Sequence, residues 1–239
     1  PPASVPVVVS ELTFQRLFPA FEAAVDASTY LGGLGPERRL PPERPLVLAN
    51  FITTLDGNAS FDGRSSPLSD PGDRALFHAL RASADAILAG TGTLEAEGYR
   101  PAGKPVVTLS RSGRLPTQIP LFRESDGRVI VFSGESPDLD GVGAEISVEP
   151  LAGTAAALET LRNRYGVGVL LCEGGPGLMG EMVRARLVDE LFLTLPAKLA
   201  GGTAGPSMTS GDPAPELIAM RLASVLERES TLYLRYLRV

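Results

Sequence analysis

Short apolar runs separated by helical stretches are the feature that most constrains this chain. The run Leu46-Val47-Leu48-Ala49-Asn50-Phe51-Ile52 is nearly continuous in apolar residues, with no polar alternation. A strand of that kind is buried on both faces, so helices must cover it above and below. Similar runs return at residues 86–89, 106–109, 128–132, 167–172 and 190–195, with a shorter one at 145–148. Helical stretches lie between them. Ser69-Asp70-Pro71-Gly72-Asp73 opens one, with a capping residue, a proline in the first turn and an acid near the positive end of the dipole. Leu76, Phe77, Leu80 and Ala84 give its apolar face. Residues 152–165 form a second helix with Leu158 and Leu161 inward, and a third follows the glycines at 174–180 and runs through Arg186. Strands alternating with helices predict a single three-layer α/β domain, its mixed, mainly parallel sheet covered on both faces. Thr231-Leu232-Tyr233-Leu234-Arg235-Tyr236 alternates instead, which predicts an antiparallel C-terminal end.

Residues 1–44 read differently. Val5 to Val9 suggests a short strand, and Leu12, Leu17, Phe18 and Phe21 fit one face of a helix that Pro19 interrupts. Residues 32–45 hold three Gly and four Pro, the composition of a linker. The chain therefore divides into an N-terminal extension, 1–44, and a main domain, 45–239.

Rare residues exclude whole classes of function. Cys172 is the only cysteine, so no intrachain disulfide or cysteine zinc cage can form. His78 is the only histidine, which excludes a multi-histidine metal site, and it reads as a structural residue of the 69–84 helix. No metal is expected. A net charge of −6 gives no general attraction to phosphate polymers, so nucleic acid is not an expected partner. No apolar run approaches the ~20 residues that span a bilayer, and Pro1 to Val9 lacks a basic n-region. The expectation is a cytoplasmic protein without membrane contact.

Open parallel sheets bind ligands at the carboxyl ends of their strands. Three loops leave strand ends here with unusual composition. Glu173-Gly174-Gly175-Pro176-Gly177-Leu178-Met179-Gly180 follows a strand and opens a helix, so its backbone N–H groups can approach a phosphate at the helix's positive end. Gly175, Gly177 and Gly180 satisfy the G-x-G-x-x-G spacing, but no ribose-binding acid stands ~20 residues on. The alternative is a glycine-rich turn with no ligand. Gly90-Thr91-Gly92-Thr93 with Glu97 suits a pyrophosphate or ribose, or else a helix start capped by Thr91. Ser110-Arg111 suits a monophosphate, because guanidinium forks around phosphate oxygens. A 2′-phosphate needs a cation and a bare ribose needs an acid, so this pattern favours NADPH over NADH. The alternative there is a solvated basic turn. Glu173, Asn50 and Asp56 are the candidate catalytic residues, although Asp56-Gly57 also suits a plain turn. A carboxylate at Glu173 can orient a substrate hydroxyl or donate a proton. Arg81 either anchors a substrate phosphate or pairs with a surface acid. Cys172 reads as buried core.

The series Asn50-Phe51-Ile52-Thr53-Thr54-Leu55-Asp56-Gly57, His78-Ala79-Leu80-Arg81, Gly90-Thr91-Gly92-Thr93, Glu173-Gly174-Gly175-Pro176, Val188-Asp189-Glu190-Leu191 and Gly201-Gly202 resembles the reductase domain of the riboflavin biosynthesis deaminase-reductase family, within the dihydrofolate-reductase-like superfamily. The resemblance runs from about Leu46 to the C-terminus. It implies an NADPH-dependent reductase, commonly a homodimer, acting on a small phosphorylated substrate. The family reaction converts the ribosyl group of 5-amino-6-(5-phosphoribosylamino)uracil to ribityl by hydride transfer to C1′ of the ring-opened sugar. By position the resemblance puts Thr53, Thr93, Glu97, Ser110 and the loop from Gly175 to Glu181 against the cofactor, and Ser66, Arg81 and Glu173 against the substrate. This chain departs from the pattern on the substrate side. Asn50 stands where many bifunctional members have Lys, Pro67 where a Trp is usual, and Glu97-Gly98-Tyr99 where paired acids precede a proline. Two other readings remain: a reductase of another heterocycle such as dihydrofolate, and a non-catalytic nucleotide-binding protein.

Overall fold

The computed structural model describes residues 12–34, 40–202 and 205–239. Among the described residues the frame is one eleven-stranded mixed sheet. The parallel part is built from β3 (Leu46–Ile52), β4 (Ala86–Leu88), β5 (Val106–Ser110), β6 (Arg128–Ser133), β7 (Glu145–Pro150), β8 (Val169–Cys172) and β9 (Glu190–Leu195). These run in the spatial order β9-β3-β8-β4-β5-β6-β7. The antiparallel part continues from β9 through β11 (Thr231–Arg238) and β10 (Met220–Arg228) to β1 (Thr13–Phe18) and β2 (Glu22–Asp26).

The central strands are apolar throughout because alternate side chains feed two different cores. Val47 and Ala49 face one way, against Ala157, Leu158 and Leu161 of α5 (Thr154–Tyr165) and Met179 and Met182 of α6 (Pro176–Arg184). Leu46 and Leu48 face the other way, against Tyr30 and Leu31 of α1 (Ala27–Gly32) and Leu76 and Leu80 of α2 (Pro71–Ser83). A third cluster packs Leu94 of α3 (Thr91–Ala96) and Leu121 and Phe122 of α4 (Pro120–Arg123) against Val106, Val129 and Val131. Leu80 and Leu48 are completely buried. Truncating either to Ala should cost about 2–5 kcal/mol.

Local chemistry sets the helix ends. Asp70 caps α2, its carboxylate accepting from the Asp73 N–H at 2.8 Å, and Pro71 takes the first helical position. Burial works against ionisation of Asp70. Hydrogen bonds from the Asp73 N–H, Thr231 and Tyr233 outweigh it, so the carboxyl lies below the usual range.

The N-terminal segment differs from its sequence expectation. Residues 13–26 form a strand pair, not a helix. Phe14 is buried and meets Tyr233 edge-on at 5.0 Å, while Leu17, Phe18 and Phe21 are exposed. The physical reason is the partner strand. β10 offers a ladder through Gln15–Glu227 and Arg16–Leu226, whereas a helix crossing Pro19 would lose a backbone bond. Val5 to Val9 lies outside the described residues. Among the described residues no helix is long and apolar enough to cross a membrane.

Candidate active site

Parallel strands present their carboxyl ends on one edge, and a cleft of about 2010 Å³ opens there. All three loops singled out in the sequence line it: the 90–93 segment, Ser110 to Ser112, and the stretch from Glu173 to Leu178. The two glycine loops are tied together, with the Gly90 N–H donating to the Gly174 carbonyl at 2.8 Å and the Glu173 N–H to the Leu88 carbonyl at 2.9 Å. The chain turns at Gly174 and Gly175 with φ of +105° and +51°, conformations that side chains with a Cβ resist. This turn delivers the start of α6 to the cleft, where Gly177 and Leu178 are among the lining residues. A Cβ at Gly92 would meet no protein atom, so this lining backbone is open to a ligand. Helix α3 begins from Gly90 with no side-chain cap, so Thr91 does not play the capping role considered for it.

Met179 and Gly180 belong to the loop in sequence but not in space. Both are buried on the inner side of α6. A Cβ at Gly180 would sit 2.1 Å from the Ser210 carbonyl oxygen, so this glycine serves close packing and not the cleft. Asp56 and Thr53 also lie outside the lining. The Asp56 carboxylate accepts from the N–H groups of Ala200 and Gly201, at 3.1 and 2.7 Å. Those bonds, with that of the Thr54 side chain ahead of them, hold it down to about 2 and build a turn. The catalytic placement of Asp56 is therefore corrected. Ser66 is exposed beside the cleft, and it is Ser65 that lines it, donating through N–H and Oγ to Glu97 Oε1 at 3.0 and 2.9 Å.

Asn50, two residues before the end of β3, lines the cleft, as do Arg81 and Glu173. Arg81 pairs with Glu173 inside the cleft, not at the surface. Its Nε and Nη2 each donate to one carboxylate oxygen at 2.6 Å, and the Tyr99 hydroxyl donates to Oε2 at 2.6 Å. The Glu173 side chain is only 3% exposed. The Arg81 guanidinium also stacks over Phe77, 4.3 Å from the ring centre. Burial opposes the Arg81 charge, but Glu173 more than compensates and raises its pKa. Burial, with the negative charge of Glu173 beside it, pushes the Tyr99 phenol well above its ordinary value, so it stays a donor. Arg111 is 81% exposed and ion-paired to Glu181, which also accepts from Thr154 Oγ1 at 3.0 Å. Ser110 Oγ donates to the Arg114 carbonyl at 2.9 Å. His78 is exposed on α2 and does not line the cleft. Cys172 is buried and its thiol is pushed up to about 12 by that burial.

Sequence reading missed Asp73. It lines the cleft from the first turn of α2, where the sequence pattern accounts for an acid by the helix dipole alone. Oδ1 accepts from Thr194 Oγ1 and Oδ2 from Ser69 Oγ, each at 2.7 Å. Burial raises its pKa against those two bonds, and the nearby Asp70 charge adds to the rise.

Fold and cleft together define an α/β protein with a large cleft at the carboxyl edge of its sheet, lined by glycine-rich loops, arginines and acids. The particular family follows from comparison: the chain belongs to the family of the RibD C-terminal domain, whose model matches residues 45–234. It is 29% identical over 215 residues to the 2,5-diamino-6-ribosylamino-4(3H)-pyrimidinone 5′-phosphate reductase of Methanothermobacter thermautotrophicus, covering 79% of this chain and 94% of that one. It is 32% identical over 160 residues to riboflavin biosynthesis protein RibD of Mycobacterium tuberculosis, covering 66% of this chain and 44% of that longer protein. Among solved structures, a pyrimidine reductase-like protein of Corynebacterium diphtheriae shares the fold with a TM-score of 0.74 at 23% identity, over 90% of this chain and 99% of that one.

Proposed function

We propose that this protein is an NADPH-dependent reductase that converts the ribosyl group of a phosphoribosylaminopyrimidine to ribityl, a step of riboflavin formation. The observation that carries the reading is the convergence of three strand-end loops on one cleft with an ion-paired arginine at its wall. The names borne by relatives of this family support the substrate class. Ring opening turns the N-glycoside into an imine, and reduction at C1′ with one proton taken up by nitrogen gives the ribitylamine. Bound NADPH supplies the hydride for that reduction. The residues present suit such a cofactor: glycines without a Cβ at 174 and 175, the start of α6 for the diphosphate, Gly90 and Thr93 beside it, and Glu97 closing that rim against Ser65. Ser110 and Arg111 are assigned to the 2′-phosphate, which would compete with Glu181 for the guanidinium. Arg81, held in place by Glu173 and Tyr99, is assigned to the anionic end of the substrate. Asn50 is assigned to the sugar imine. The working form is assigned as a homodimer, which light scattering tests.

The test is loss of NADPH absorbance with 5-amino-6-(5-phosphoribosylamino)uracil, with its 2,5-diamino-pyrimidinone counterpart, and with dihydrofolate. Turnover of either pyrimidine supports the reading. Oxidation with dihydrofolate alone, or cofactor binding without oxidation on any of the three, overturns it.

A further inference from the structure

We propose that Arg114 is the cation that does most to select a 2′-phosphorylated cofactor, because Glu181 already engages Arg111. The inference rests on the reading that this cleft takes NADPH, and it deepens that reading by assigning the selecting residue.

Five arginines line the cleft: Arg81, Arg100, Arg111, Arg114 and Arg184. Three are ion-paired, Arg81 with Glu173, Arg100 with Glu124 and Arg111 with Glu181. Arg184 donates through Nη1 to the Asp212 carbonyl at 2.8 Å. Among the described residues, Arg114 alone of the five has neither an ion pair nor a side-chain hydrogen bond, and it is exposed. Its main chain is nonetheless fixed. Ser110 Oγ donates to the Arg114 carbonyl at 2.9 Å. Gly113 turns with φ of +70°, and a Cβ there would stand 3.0 Å from the Glu135 carbonyl oxygen, so the turn is packed closely on its neighbour. A held backbone therefore carries a cation with no protein partner into the cleft.

Arg111 and Arg114 leave one strand end three residues apart, a chain length of ~10 Å at most. Two long side chains so placed can reach one phosphate. A phosphate monoester carries about −1.5 to −2 charges at pH 7, more than one guanidinium balances. The two arginines are not equally available. Arg111 and Glu181 neutralise each other, and Thr154 Oγ1 holds that carboxylate by a bond of 3.0 Å. A phosphate gains Arg111 only by displacing another anion, which stays in the same wall of the cleft, like charge near like. It gains the Arg114 fork with no protein bond to break. An unphosphorylated ribose offers no charge to Arg114, so this residue separates the two cofactors.

The experiment titrates the full chain calorimetrically with adenosine 2′,5′-bisphosphate and with adenosine 5′-monophosphate, which differ only in the 2′-phosphate. Wild type is compared with Arg114→Ala, Arg114→Lys, Arg111→Ala and Glu181→Gln. A hydrogen bond to a charged group is worth about 10- to 100-fold in affinity. Arg111 stands at the lower end because of Glu181, and Arg114 above it. Arg114→Ala should therefore reduce the preference for the bisphosphate more than Arg111→Ala does, with monophosphate binding unchanged. Arg114→Lys should restore part of the preference, since a point charge remains without the fork. Glu181→Gln should tighten the bisphosphate by about 2- to 5-fold, the worth of an exposed ion pair, and leave the monophosphate alone. A loss in Arg114→Ala that is equal for both fragments overturns the inference, because a merely structural role gives that result. A preference that only Arg111→Ala reduces also overturns it, as does weaker bisphosphate binding in Glu181→Gln. Equal binding of the two fragments by wild type overturns it too, while pyrimidine turnover with NADH would still uphold a reductase. A fragment preference that depends on Arg114, with no turnover of either pyrimidine, keeps the inference and overturns the proposed function.

Discussion

Replacing Arg81 by Ala leaves the Glu173 carboxylate almost wholly buried with only the Tyr99 hydroxyl as a donor. Breaking a buried pair from one side typically costs 3–5 kcal/mol, because the remaining charge has lost its partner. Arg81 is 23% exposed, so some water reaches the pair and the lower end applies. The expected loss is about 3 kcal/mol. For a chain of this size, 2–4 °C per kcal/mol turns that into a melting temperature lower by about 6–12 °C. Tyr99→Phe removes one hydrogen bond to a charged group and should cost about 1.5 kcal/mol. The double variant should lose more than the sum of the two, since both changes act on one carboxylate. Urea unfolding at two salt concentrations provides the assay. A buried pair is screened little, so the Arg81→Ala deficit should persist at high salt. A deficit under about 1 kcal/mol that vanishes with salt is the signature of a surface pair. That result would refute the argument that Glu173 is a buried anchor for Arg81.

The remaining expectations concern separate sites. Gly180→Ala forces a Cβ to 2.1 Å from the Ser210 carbonyl and should cost about 1–3 kcal/mol in urea unfolding. Gly92→Ala meets no protein atom, so its stability should hold or rise while NADPH affinity falls, as read by cofactor titration. Arg111→Ala should reduce the preference for NADPH over NADH by about 10-fold in kcat/KM, and an unaltered preference would remove Arg111 from the 2′-phosphate site. Burial raises the pKa of Asp73 above the ordinary 3.8 in the folded state, so the folded state holds its proton over a window where the unfolded state has lost it. Stability therefore falls as pH rises from 3.8 through the folded pKa. Asp73→Asn lacks that decline, so its stability relative to wild type should rise across the same window in melting curves.

The parallel half of the fold was legible because its signal is local. Leu46 to Leu48 and Val106 to Val107 must be buried on both faces, and no other placement satisfies such runs. The strand pair at residues 13–26 was not legible, because the apolar residues that suggested a helix, Leu17, Phe18 and Phe21, are exposed. Its inward residue is Phe14, whose partner Tyr233 lies at the far end of the chain. Only tertiary pairing fixes that register. The glycine loops divide along the same line. Gly174 and Gly175 announce a turn by their own composition, whereas Gly180 is required by the Ser210 carbonyl, which no local pattern reveals.

The cleft acids show why the site was only half readable. Asp73 satisfies a local rule, an acid in a helix's first turn, and that sufficient explanation hides its place in the cleft wall. Its hydroxyl partner Thr194 stands 121 positions away, and Arg81 is 92 positions from Glu173. Yet helix geometry held a usable signal. Gly72, Leu76 and Leu80 are the buried residues of α2 and mark the side that faces the sheet. Residues 73, 77 and 81 follow each of them by one position, about 100° round a helix with 3.6 residues per turn. That stripe flanks the core face, so it belongs at the rim where helix meets sheet edge, and not in open solvent. An acid, an aromatic ring and an arginine at four-residue intervals on such a flank are poorly explained as a solvated face, and all three line the cleft.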